Sequence, residues 1–182
     1  TNENDILTRT LMSGEHELKA VKETSSPSID IQISSNFERL LYDITQSPEY
    51  VNNLMKELRE TGKYSLKNSD LIKIQESFCS YSVSEEEVGN IIKETFQDHQ
   101  IIVDPHTAVG IASAKKCEKK YDLKVTLSTA HPAKFKDTVS NLLNDERFIT
   151  NKVHNIMKLD EDMTILENDV DVVKNFITEN IQ

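Results

Sequence analysis

Thr126-Leu127-Ser128-Thr129-Ala130-His131-Pro132-Ala133-Lys134-Phe135 is the stretch on which the reading of this chain turns. Leu123, Val125 and Leu127 read as an apolar strand that runs into two hydroxyls, Ser128 and Thr129. His131-Pro132 then makes a turn, and Pro132 fits the first helical position, where a missing N–H costs nothing. Phe135, Val139, Leu142 and Leu143 recur at helical spacing, so residues 132–143 are expected to pack one helix face and leave the N-terminus open. Strand, polar turn and helix N-terminus in succession form the place where open α/β sheets bind ligands. The pattern implies an anionic ligand at a sheet edge and does not specify which.

Working outward, residues 101–103 (Ile-Ile-Val) form a short apolar strand-like run ending at Asp104. Asp104 is placed to cap a helix that starts at Pro105 and runs to about Lys120. Its small residues, Ala108, Gly110, Ala112 and Ala114, permit close backbone packing. Such alternation of strands and helices predicts an α/β fold, an open sheet flanked by helices. Nearer the start, Asn4 or Asp5 caps a short helix over 4–12 that Gly14 closes, and residues 17–33, with Pro27, suit extended segments. Phe37, Leu40, Leu41 and Ile44 stripe a helix from about Ser35.

Residues 45–100 read as helical and highly charged. Ser47-Pro48 opens a helix that Gly62 stops. Asn68 or Ser69 caps another, expected to bury Leu71, Ile72, Ile74 and Phe78. Ser84 and Glu87 form a capping box for a third, with Val88, Ile91, Ile92 and Phe96 on its apolar face.

A net charge of −10 over 182 residues argues against nucleic-acid binding, which needs basic surface. With 37% hydrophobic and 29% charged residues and no long apolar run, the chain carries no transmembrane span, and a cytoplasmic location is expected. Cys79 and Cys117 lack metal spacing and read as buried or idle reduced thiols. His16, His99 and His154 are isolated in charged surroundings, so no metal site is expected. Only four glycines occur, and no Gly-rich loop is present to wrap a cofactor phosphate.

The decapeptide resembles the C-terminal segment of the threonine synthase family of pyridoxal-phosphate enzymes (fold type II). Three further blocks agree in the family's order. Thr1-Asn2-Glu3-Asn4-Asp5 resembles its Thr-Asn-x-Asn-Asp segment, and Ser26-Pro27-Ser28-Ile29-Asp30-Ile31 with Ser34-Ser35-Asn36-Phe37-Glu38-Arg39 resembles its Ser-Pro-Ser-Met-Asp-Ile…Ser-Ser-Asn-Phe-Glu-Arg block. Asp104-Pro105-His106-Thr107-Ala108-Val109-Gly110 is similar to its Asp-Pro-His-Thr-Ala-Val-Gly. Ile29, where the family often has Met, is a volume-conserving departure.

The resemblance implies the C-terminal portion of a fold-type II enzyme that uses pyridoxal 5'-phosphate to convert O-phospho-L-homoserine and water to L-threonine and phosphate. It places the Schiff-base lysine and the glycine-rich phosphate loop upstream of residue 1, so the 182 residues alone are expected to be inactive and to need the missing N-terminal part of the same enzyme. On this reading residues 1–44 and 101–147 belong to the cofactor-binding α/β domain, 45–100 are a helical insertion, and 148–182 are a C-terminal helical arm. A Ser or Thr hydroxyl faces the pyridine nitrogen in such enzymes. Ser128 and Thr129 both match, strand alternation turns only one toward the ring, and Thr129 is favoured as nearer the turn.

Asn36, Arg39, Lys134 and His131 are the candidate substrate-binding residues. Arg39 could grip the substrate phosphate in two-pronged fashion or pair with Glu38 or Asp43. Lys134 reads as a phosphate-facing cation or a solvated first-turn lysine. His131 reads as the fixer of its turn or a proton carrier. Asp104 and His106 invite an acid–base reading, but an Asp-Pro helix start explains them as a cap. Rival readings are a non-catalytic homologue or binding module of the same fold, and a related pyridoxal-phosphate lyase with another substrate.

Overall fold

The computed structural model describes residues 1–181, so the last residue of the expected 148–182 arm lies outside it. Residues Thr1–Phe148 form one compact unit and Ile149–Gln182 a second.

The first unit opens with α1 (Ile6–Ser13), which Gly14 ends at φ +79°, a left-handed conformation that glycine adopts without steric cost. β1 (Glu15–Glu17) follows, then irregular chain with one 3₁₀ turn at Pro27–Ile29. Next come α2 (Ser35–Thr45), α3 (Pro48–Thr61) and β2 (Lys63–Ser65). Ser47 accepts the Tyr50 N–H at the start of α3, and Gly62 at φ +77° ends it, as the sequence predicts. β1 and β2 pair antiparallel with His16 opposite Tyr64, the only strand pairing among the described residues.

α4 (Asn68–Ser77) and α5 (Glu85–His99) follow. The expected capping box at α5 is complete, Ser84 accepting the Glu87 N–H and Glu87 accepting the Ser84 N–H. α4 differs from expectation: its N-cap is Lys67, and Ile72 and Phe78 are exposed. Its buried stripe narrows to Asp70, Leu71 and Ile74, because only one side meets the core. α6 (Pro105–Lys116) starts at the predicted Asp104 cap and stops at Cys117. After a 3₁₀ turn at Pro132–Phe135 comes α7 (Lys136–Leu143).

Two cores hold this unit. One joins Phe37 and Leu41 of α2, Leu54 and Leu58 of α3, Tyr64 of β2 and Ile74 of α4. The other joins Val83, Val88, Ile91 and Ile92 to Val103, Ala108, Val109 and Ala112, so α5 lies against α6 over its small residues. The first core draws on both sides of residue 44 and the second on both sides of residue 100.

Two expected strands do not form. Residues 101–103 are irregular, with Val103 in the core and Ile101 exposed. Residues 123–128 form no regular secondary structure and are unpaired, and Leu123, Val125 and Leu127 are each at least 74% exposed. A strand exists only through its neighbours' hydrogen bonds, and no neighbouring strand is present at either place among the described residues. This chain by itself therefore contributes helices and one small ribbon to the α/β fold.

The second unit holds α8 (Asn151–Ile156), capped by Thr150, and α9 (Val170–Asn180), capped by Asp169, which accepts the Asp171 and Val172 N–H groups. No helix among the described residues is long and apolar enough to cross a membrane.

Candidate functional site

Asp104 anchors the site. Its carboxylate is fully buried, and four donors satisfy it. Oδ1 accepts from the His106 N–H and from His106 Nδ1, both at 2.9 Å. Oδ2 accepts from the Thr107 N–H at 3.4 Å and from the Thr107 hydroxyl. A buried charge persists only with such partners. The Thr107 hydroxyl, while donating a hydrogen bond to Asp104, accepts the Thr129 N–H at 3.1 Å. The backbone of the predicted ring-facing residue is thus pinned to the start of α6.

His106 belongs to the same frame. Its Nε2 accepts the Ser28 N–H at 3.2 Å, which assigns the proton to Nδ1 and aims it at Asp104. Both ring nitrogens are engaged, so His106 positions the loop around Ser28 and has no nitrogen free to shuttle protons. Its ring also lies 4.6 Å from that of Phe135. Gly110 lets α6 approach the 126 segment closely: a Cβ there would meet Thr126 Cγ2 at 3.1 Å, inside an ordinary carbon contact.

Asp30 makes the next junction. Its Oδ1 accepts from Asn2 Nδ2 at 2.6 Å, Asn4 Nδ2 at 2.9 Å and the Thr24 hydroxyl at 2.6 Å, and Oδ2 accepts the Thr24 N–H at 2.8 Å. Asn2 also donates to the Ser26 hydroxyl at 3.0 Å. Asn2, Asn4 and Ser26 are all buried. The four sequence blocks, scattered from residue 1 to 135, therefore meet as neighbouring parts of one polar framework. Sequence reasoning assigned no role to Asn2, Ser26, Asp30 or Thr107, and offered Asn4 as a helix cap, whereas the cap position falls to Asp5 and the Asn4 side chain bonds Asp30 and the Lys22 backbone. Their one visible signal was density of Asn, Asp, Ser and Thr outside the helical stripes.

The predicted site residues separate into two groups. Ser128, Thr129, His131 and Lys134 follow one another at the exposed end of the 121–130 segment. The Ser128 and Thr129 hydroxyls have no hydrogen-bond partner among the described residues, although the Thr129 backbone is held. An exposed, unpartnered hydroxyl on a fixed backbone fits the pyridine nitrogen of pyridoxal 5'-phosphate, a neutral acceptor. His131 Nδ1 accepts the Ala133 N–H at 3.1 Å and so caps the turn. Asn36 and Arg39 lie on the exposed side of α2, with no hydrogen bond or ion pair joining them to residues 126–135. Arg39 pairs with neither Glu38 nor Asp43, and Lys134 likewise forms no ion pair among the described residues.

His16 also departs from its sequence reading. It is buried, stacked 4.6 Å from the Tyr64 ring, and its Nδ1 lies 2.9 Å from the Thr10 hydroxyl. Burial, with the Arg9 charge behind it, depresses its pKa to about 4. Among the described residues no group of three or more His, Cys, Asp or Glu side chains is placed to hold a metal.

Residues 107–177 match the family profile described as threonine synthase, C-terminal. The chain is 37% identical over 208 aligned positions to threonine synthase of Saccharomyces cerevisiae, covering 100% of this chain and 40% of that one. It is 31% identical to threonine synthase of Pseudomonas aeruginosa over 99% of this chain and 39% of the other. In structure it is similar to a PLP-bound threonine synthase from Brucella melitensis, with a TM-score of 0.84 and 35% identity, covering 98% of this chain and 39% of that one. The yeast threonine synthase structure aligns with a TM-score of 0.80 over 98% of this chain. The chain thus spans about two-fifths of the length of the curated relatives it matches. By sequence, by fold and by the blocks that converge on its polar framework, the chain belongs to the threonine synthase family and corresponds to the C-terminal portion of its members.

Proposed function

We propose that this chain supplies the pyridine-nitrogen partner of a pyridoxal-phosphate lyase that converts O-phospho-L-homoserine and water to L-threonine and phosphate in the cytoplasm. One observation carries the proposal: the Asp104–Thr107–Thr129 relay holds the backbone beneath two unpartnered hydroxyls. Pyridoxal 5'-phosphate, when bound, supplies the electron withdrawal that lets protons leave the substrate carbon skeleton. The protein's task here is to tune and orient. A hydroxyl facing the ring nitrogen donates a hydrogen bond without transferring its proton, so the nitrogen stays neutral and the withdrawal is moderate. Thr129 is assigned that contact and Ser128 the alternative. Lys134 and Arg39, cations without ion-pair partners among the described residues, are the candidates for drawing in the substrate phosphate. Asn36 sits on the same helix as Arg39, and His131 keeps the turn in shape. The reacting lysine and the cofactor-phosphate loop are assigned to the other three-fifths of the enzyme.

The test uses the full reading frame that contains this chain. Binding of pyridoxal 5'-phosphate is followed by its visible absorbance, and phosphate release from O-phosphohomoserine by its stoichiometry with threonine. Thr129→Ala is expected to shift the cofactor spectrum and lower kcat by about 10- to 100-fold, with a smaller effect for Ser128→Ala. Unchanged spectrum and turnover in both variants would remove these residues from the cofactor contact. No turnover of O-phosphohomoserine by a folded, cofactor-loaded enzyme would overturn the substrate assignment.

A further inference from the structure

We infer that the first core has a binding site for one structural water, held by the Tyr64 hydroxyl in a small cavity under the first turn of α2. The site stands apart from the cofactor contact, although the helix it seats carries Asn36 and Arg39. Tyr64 is 1% exposed, and its hydroxyl is buried with no hydrogen-bond partner among the described residues. Burial of a hydroxyl without a partner is strongly disfavoured, so an acceptor is required beside it. A cavity of about 10 Å³ adjoins it, lined among others by His16, Ser34, Phe37, Glu38, Leu58 and Tyr64. One water needs about 10–15 Å³ on this measure, with about two to four polar partners. A cavity so small sets every residue around it against the same point.

The lining supplies those partners. Ser34 precedes α2 without capping it, and neither its hydroxyl nor the Glu38 carboxylate bonds another residue among the described residues. Thr10 donates its hydroxyl proton to the Ile6 carbonyl at 2.7 Å. Its 2.9 Å contact with His16 is therefore a donation from Nδ1–H, which leaves His16 Nε2 an acceptor. Burial first, then the Glu38 and Tyr50 side chains, hold the Tyr64 hydroxyl above its usual pKa, so it enters the cavity as a donor. The water accepts a hydrogen bond from Tyr64 and donates its own two among Glu38, Ser34 and His16. His16 and Tyr64 face each other across the β1–β2 ribbon, and Ser34 and Glu38 bracket the first turn of α2. The water thus ties that turn to the ribbon at the end where the helix has no side-chain cap.

The test is a crystal structure of the full reading frame, at a resolution that shows ordered water. The expected result is one peak about 2.7–2.8 Å from Tyr64 Oη, with at least one further polar contact in the cavity. Tyr64→Phe removes only the hydroxyl and gives the second measurement. If water satisfies that hydroxyl, the variant loses a hydrogen bond, and its thermal midpoint falls by about 1–4 °C. A hydroxyl buried without a partner would make the same change neutral or stabilising, the opposite sign. A cavity without a peak, a Tyr64 hydroxyl bonded directly to Glu38, or a Tyr64→Phe midpoint at or above that of the wild type would each overturn the inference. The wild-type map decides by itself if the variant does not fold.

Discussion

Thr107 spends its single hydroxyl twice, donating to Asp104 and accepting from the Thr129 N–H. Thr107→Val keeps the shape and deletes both bonds, leaving a buried carboxylate oxygen one donor short. It should cost about 1–3 kcal/mol, read as a lower denaturant midpoint at unchanged slope, while Thr107→Ser should stay close to wild type. His16 offers a second check through pH. Its folded pKa, about 4, lies below the unfolded value of about 6.5, so between them the unfolded chain binds the extra proton. Stability therefore falls on acidification from about pH 6.5 to about pH 4, by about 3 kcal/mol in total. His16→Gln should flatten that part of the stability–pH curve, and an unchanged slope would count against the burial of a neutral imidazole.

At the scale of elements, caps and stops were legible because their chemistry is local. Ser47-Pro48, Gly62, Ser84 with Glu87, and Asp104-Pro105 all act within one turn of themselves, and all appear where the sequence puts them. Phe78 and Ile72 were misread because periodicity marks a face without showing how wide a core it meets. Gly110 faces Thr126 at the crossing that carries the chain toward Ser128 and Thr129. Gly110→Ala should gain helix propensity yet lose about 1 kcal/mol or more net, because the added methyl must displace Thr126. Its sharper signature is weakened cofactor binding in the full-length protein, measured by absorbance titration, with helicity unchanged.

Across the whole chain, residues 123–128 are one of the two places where an expected strand does not form. Leu123, Val125 and Leu127 have the composition of a sheet strand, yet they lie exposed and unpaired. Unsatisfied edges of this kind invite pairing with other copies. The 182-residue chain on its own is expected to self-associate, with Val125→Lys lowering the apparent mass by size-exclusion chromatography; a monomer at all concentrations would contradict this. Most helix boundaries and the family could be read directly from residue order, since propensity, capping and short motifs depend on neighbours a few positions apart. Three things needed the folded chain: the meeting of Asn2, Asn4 and Asp30, the Thr107 relay to Thr129, and the seating of His16 between aromatic rings. Each joins residues through burial and hydrogen bonds that arise only when distant segments are packed together, and linear order does not encode distance.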